Sequence, residues 1–277
     1  MHDVLALREF YGSPLGLMCE RFVGAALAPV WGPITGERLL GFGYALPWLD
    51  RFASDAERAM AMMPAQQGAA RWPPLRPSAT ALVSETALPL ADNAMDRILM
   101  VHALEHARDP HEVLEEMWRV LVPEGRLVIV VPNRRGVWAR IDTTPFGAGR
   151  PYSRSQLSAI LKATSFVPTA WSDALFFAPS RRALNARLAP VAERTGRRFW
   201  PLFAGAIVVE ATKRIHRGVP VAHRLPRRAA VPVLAPQGAS RWGASRWGAS
   251  RTDLRRCEDL RGANEAAKPR PTEGDTP

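Results

Sequence analysis

The sequence predicts an α/β protein built on a largely parallel sheet. Three observations carry that reading. Short apolar runs alternate with stretches of helical period. Arg126–Val131 (RLVIVV) and Asp96–Val101 (DRILMV) have the continuous apolar character of strands buried on both faces. The first such run, Arg38–Tyr44 (RLLGFGY), enters a glycine turn, as strands of parallel sheets do before a helix.

In chain order, a helical region spans Val4–Ala28, and a helix near Leu46–Ser54 follows the glycine turn. Ala59–Met63 is a short strand ending at Pro64, and Ala81–Glu85 is another. Asp92-Asn93 makes a turn into the Asp96–Val101 strand. Pro110–Val120 has helical spacing, with Val113, Leu114, Met117, Val120 and Leu121 on one face. Pro123-Glu124-Gly125 breaks it before Arg126–Val131. Tyr152–Ala163 reads as a helix capped by Ser153. Thr169–Phe177 and Ala204–Ala211 read as the last strands, with a basic helix around Arg181–Arg194 between them.

Composition agrees with a globular body. The 277 residues are 47% hydrophobic and 23% charged, which argues against disorder throughout. No run approaches the roughly 18 apolar residues of a membrane span. The first residues, MHDVLALREF, lack a secretory pattern. Cys19 and Cys257 are too few for a disulfide framework or metal cluster. Together these features predict a cytoplasmic protein without a membrane partner.

The net charge of +11 is unevenly placed. Residues 213–277 hold 14 basic and 6 acidic residues, so the body is nearly balanced. This Pro-, Ala- and Arg-rich tail carries the five-residue repeat GASRW-GASRW-GASR at Gly238–Arg251. Its composition predicts a disordered extension. Trp242 and Trp247 beside Arg241 and Arg246 could stack on single strands, which would make the tail the one route to a nucleic-acid partner; a low-complexity repeat without function is the favoured reading.

Ligands of open parallel sheets sit at the carboxyl ends of the strands. Gly41-Phe42-Gly43-Tyr44-Ala45 is therefore the first candidate binding turn. It lacks the third glycine of the dinucleotide fingerprint, which makes an NAD-binding or nucleotide-sugar domain a distant reading.

Three further segments converge. Leu88–Asp96 (LPLADNAMD), His102-Ala103-Leu104-Glu105-His106 with Asp109-Pro110, and Glu116–Asn133 (EMWRVLVPEGRLVIVVPN) resemble, in order, motifs of class I S-adenosylmethionine-dependent methyltransferases, the type 11 group in particular. Gly149–Ser153 with Leu157 and Leu161 is similar to the helix before the sixth strand of that group. The resemblance covers about residues 35–212. It implies a Rossmann-like, mostly parallel seven-stranded sheet closed by an antiparallel hairpin. It divides the chain into an N-terminal helical segment (1–34), a methyltransferase-like domain (35–214) and the basic tail (215–277).

The resemblance also implies S-adenosylmethionine as cofactor, held by Gly41, Gly43, Tyr44, Gln66, Glu85, Thr86 and His102. The chain departs from the pattern at two acids. Leu39 stands where an acid usually precedes the glycines, and Met62–Gly68 offers none to the ribose. Gln66 or Gln67 would supply a neutral contact there. His102, at a strand's carboxyl end, is the candidate catalytic base, since histidine suits proton transfer near neutral pH. A wall histidine held by hydrogen bonds is the equally plain reading. His102-x-x-Glu105-His106 also fits a short zinc-protease pattern, but without a third ligand no metal is expected. Tyr11 belongs to a segment that either folds over the pocket or packs on the sheet. Arg134, Arg135 and Arg150 lie in loops after strands, where they could attract an acidic substrate. The reading is methyl transfer to an unidentified acceptor. Its alternative is an inactive, methyltransferase-like binding protein whose tail engages an acidic partner.

Overall fold

A computed structural model describes residues 3–179, 189–196 and 203–215. The tail expected from residue 215 onward, with its repeat, otherwise lies outside the described residues.

Seven strands form one sheet in the order β3-β2-β1-β4-β5-β7-β6. They are β1 (Arg38–Gly43), β2 (Arg58–Pro64), β3 (Thr80–Val83), β4 (Met95–Val101), β5 (Leu121–Pro132), β6 (Phe166–Ala174) and β7 (Ala206–Lys213). The first five pair in parallel, and β7 runs antiparallel to both β5 and β6. This is the seven-stranded, hairpin-closed sheet that the sequence implies. Helices cover both faces. On one lie α1 (Val4–Gly12), α2 (Pro14–Trp31) and α3 (Leu46–Ala53), packed with Leu39, Leu99, Val128 and Val208. On the other lie α4 (Pro110–Val120) and α5 (Arg154–Ala163), packed with Leu40, Phe42, Ile98 and Ile129. Alternate residues of β1 thus enter opposite cores, as the strand period of two requires.

Several boundaries differ from the sequence reading, each for a local reason. The helical region expected over Val4–Ala28 is present as two helices, because Pro14 disfavours helical geometry at Ser13. Ser13 then caps the second helix by accepting from Gly16 N–H at 3.1 Å. Pro123–Gly125 lies inside β5, which starts at Leu121; the ladder with β4 slips between Met95 and Arg97. The last two strands are β6 and β7 as bounded above, with Phe166 paired to Lys213. Of the basic helix expected around Arg181–Arg194, residues 189–194 are helical and 181–188 lie outside the described residues. The cap of α5 matches expectation, with Ser153 and Gln156 forming a reciprocal capping box.

Two polar clamps fix the frame. Arg97, 5% exposed, binds Glu37 and the carbonyls of Trp31 and Pro33, tying β4 to the end of α2. Arg119 binds Glu116, Asp92 and the carbonyls of Leu88 and Leu90, while Glu116 accepts from Leu88 N–H. That network pins the loop before β4 to α4.

Strand order reverses between β1 and β4, where open sheets place their ligands. Gly43 and Val101 are register partners there. Gly43 has φ of +75°, and a Cβ on it would strike the Val101 carbonyl and stand 2.8 Å from Ala103 Cβ. Gly43→Ala is therefore expected to lower unfolding free energy by about 3 kcal/mol, from left-handed strain plus overpacking. Urea unfolding measures it, and an unchanged midpoint contradicts the close approach.

Candidate functional site

The carboxyl ends of β1 and β4 carry the candidate site. Tyr44 N–H donates to Val101 O at 2.8 Å, extending the ladder one residue beyond β1. Next, His102 adopts φ of +50° and turns the chain off the sheet. Its ring is buried, 1% exposed, and both nitrogens are engaged. Nδ1 lies 3.0 Å from Glu105 Oε1, and Nε2 lies 2.7 Å from the Tyr11 hydroxyl. A carboxylate only accepts, so the proton belongs on Nδ1 and Nε2 accepts from Tyr11. The result is a buried Glu–His–Tyr chain centred at the strand-order reversal.

Aromatic side chains enclose it. Tyr11 stacks on Tyr44 with ring centres 5.6 Å apart and meets Trp48 edge-on at 5.4 Å. Phe146, from the turn at Pro145–Gly147, meets the His102 ring at 4.9 Å. Burial, reinforced by Cys19, Tyr44 and Glu105, pushes the Tyr11 hydroxyl well above the ordinary phenol range. Burial also raises Tyr44. Tyr152, whose hydroxyl donates to Leu104 O, is pushed up to about 12 by burial and Glu105.

The sequence candidates separate into three places. His102 and Tyr44 meet at the centre. Gln66 and Glu85 meet at the ends of β2 and β3, where Gln66 Nε2 donates to Glu85 Oε2 at 3.0 Å. Thr86 lies on the same turn and is exposed. Gly41 does not face the crevice: a Cβ there would run into Leu49 of α3, so its smallness serves helix–sheet packing. The two glutamines differ sharply. Gln67 is 1% exposed and its Nε2 donates to His102 O at 2.8 Å, so Gln67 rather than Gln66 reaches the centre.

Sequence reasoning missed Glu105, Gln67 as the inward glutamine, and Phe146. The signal for Glu105 was its spacing of three from His102, which the sequence offers as part of the methyltransferase-like segment and of a zinc pattern but not as a partner for the imidazole. Residues 102–106 form turns and bends, so His102 and His106 do not share a helical face. Among the described residues no group of three or more metal-ligating side chains is assembled. Nor, among them, is any helix long and apolar enough to cross a membrane.

Two buried acceptors at this centre have no hydrogen-bond partner, Gln67 Oε1 and Glu105 Oε2. Orphaned buried acceptors call for a donor or a cation. The cationic methionine end of S-adenosylmethionine supplies both, so the donor set fits that group. Tyr11 occupies the position next to His102 Nε2. It is carried by α1, whose buried side chains are Leu7 and Tyr11 and whose Val4 N–H donates to Gln67 O.

Comparison with known proteins agrees with this architecture. The family described as "Methyltransferase domain" matches residues 40–129, from β1 through most of β5. Among solved structures, a chain of the complex between the Haloferax volcanii Trm112 methyltransferase activator and a methyltransferase is 15% identical. The match covers 77% of this chain and 99% of that one, with a TM-score of 0.55. An S-adenosylmethionine-dependent methyltransferase from Mesorhizobium loti is 14% identical over 73% of this chain and 99% of that one, TM-score 0.49. One from Thermotoga maritima is 16% identical over 71% and 92%, TM-score 0.48. At these identities the likeness is one of fold, and the first carries the argument. No curated protein matches the chain.

The chain has three tyrosines, and all three are raised. A raised phenol favours the protonated form in the folded state. Its stabilisation is complete below the unfolded pKa of about 10 and is lost as pH rises above it. Alkaline titration followed by phenolate absorbance should show less ionisation of the folded chain at about pH 10 than in denaturant, where half is expected. Ordinary titration of even one tyrosine in the folded state contradicts the buried placement.

Proposed function

We propose that this chain, a member of the class I methyltransferase family over residues 40–129, transfers a methyl group from S-adenosylmethionine to an acceptor held beside His102. One observation carries the reading: a buried carboxylate–imidazole–hydroxyl chain lies at the strand-order reversal, with two unsatisfied acceptors beside it.

The cofactor's sulfonium makes its methyl group electrophilic, so the protein's work is alignment, exclusion of water and removal of a proton. Glu105 fixes the imidazole and holds the proton on Nδ1. The Nε2 lone pair then points to where Tyr11 now presents a hydroxyl. An acceptor hydroxyl or amine occupying that position would give its proton to Nε2. Tyr44, Trp48 and Phe146 keep water away. Gln66, Glu85 and Thr86 would border the adenosine end, and Gly43 lets the backbone of β1 approach β4. Tyr11 must swing out for ligand to enter, and Ser13, where α1 and α2 part, is the natural pivot.

A second reading is favoured by the Tyr11–Tyr44 stack and by Leu39, fully buried in the core where the family usually has an acid. It is a non-catalytic binding protein that keeps the fold. Isothermal titration of S-adenosylmethionine and its demethylated product into the full-length protein separates the two. Methyl transfer predicts dissociation constants in the micromolar range and tighter binding by Tyr11→Ala. No heat at millimolar ligand, in either protein, rejects it in favour of the second reading.

A further inference from the structure

A second concave surface lies on the side of the sheet covered by α4 and α5. It is a groove of about 760 Å3 between the first turn of α4, the segment after β5, the 149–152 turn and α5. Its lining includes Arg134, Arg150 and His111 and, among the described residues, no carboxylate. Tyr152, Pro151 and Ile160 supply an apolar wall.

Five arginines of the described body are ion-paired. Arg38, Arg97, Arg119, Arg126 and Arg154 each meet a carboxylate. Among the described residues, the guanidiniums of Arg134 and Arg150 meet none. Their backbones, by contrast, are fixed. Arg134 N–H donates to Tyr152 O at 2.9 Å, and Arg150 N–H donates to Glu105 O at 2.8 Å. Two exposed arginines on hydrogen-bonded backbone thus line one groove to which, among the described residues, no carboxylate supplies a counter-charge. A carboxylate satisfies one guanidinium bidentately. A phosphate has enough oxygens and charge to engage two.

We propose that this groove binds the phosphate group of a small organic phosphate monoester, with the organic part against Tyr152 and Ile160. The groove's lining does not include His102 or Glu105, and the proposal does not rest on methyl transfer.

The probe is phenyl phosphate, titrated calorimetrically into the full-length protein at low salt, with benzoate and inorganic phosphate as comparison arms. One-to-one binding of phenyl phosphate, tighter than either comparison, is expected. Arg134→Gln with Arg150→Gln should weaken it at least tenfold. So should Ala159→Glu, which places a negative charge on an exposed position of the same lining. Arg140→Gln, exposed and outside the groove, should leave it unchanged. The proposal is overturned if the unaltered protein does not bind phenyl phosphate, or if benzoate binds as tightly. It is equally overturned if the double and Ala159→Glu variants keep their affinity, or if Arg140→Gln loses it.

Discussion

The close approach of β1 to β4 at Gly43 governs the rest. With no side chain at that residue, the Val101 carbonyl can receive the Tyr44 N–H, and the ladder persists to the strand ends. Tyr44 is thereby delivered to one side of the crevice and His102 to the other. Everything else at the centre is placed against these two. A bulkier residue would push β4 outward and separate the imidazole from its tyrosine partner. Leu39, two residues before the glycines, is fully buried and packs in the same cluster as Leu99, where an ionised acid would lack water.

Most of the frame was legible in the sequence because it is encoded locally. The apolar runs of β4 and β5 and the period of α4 need no tertiary context. The segments Leu88–Asp96 and Glu116–Arg119, noticed as motifs, have a physical meaning in the structure. They are the two halves of one clamp, in which Glu116 and Arg119 grip the backbone of the 88–90 loop. The resemblance identified the fold through residues that hold it together, which is why it said less about chemistry.

The centre was legible only in part. His102 stood out because it follows a buried strand. Gln66 and Gln67 are neighbours, and nothing in their order reveals that one bonds Glu85 at the rim while the other is buried beneath His102. Tyr11 lies 91 positions from its hydrogen-bond partner, a distance across which sequence spacing carries no geometric information. Glu105 is close in sequence, but its role needed the left-handed turn at His102, which no propensity predicts. The helical character of the first 28 residues was legible from their composition, and Pro14 marks where the two helices part.

The Tyr11 ring is held by a stacking face, an edge contact and a hydrogen bond at its tip, all supplied by neighbours that stay in place if the ring is removed. Shortening residue 11 to alanine would leave a hollow shaped like a phenol, walled by aromatic carbon and ending at an imidazole nitrogen. Soluble phenols would then complement the truncated chain, restoring the lost packing from solution. The same hollow would seat their oxygen beside His102 Nε2, where the Tyr11 hydroxyl now lies.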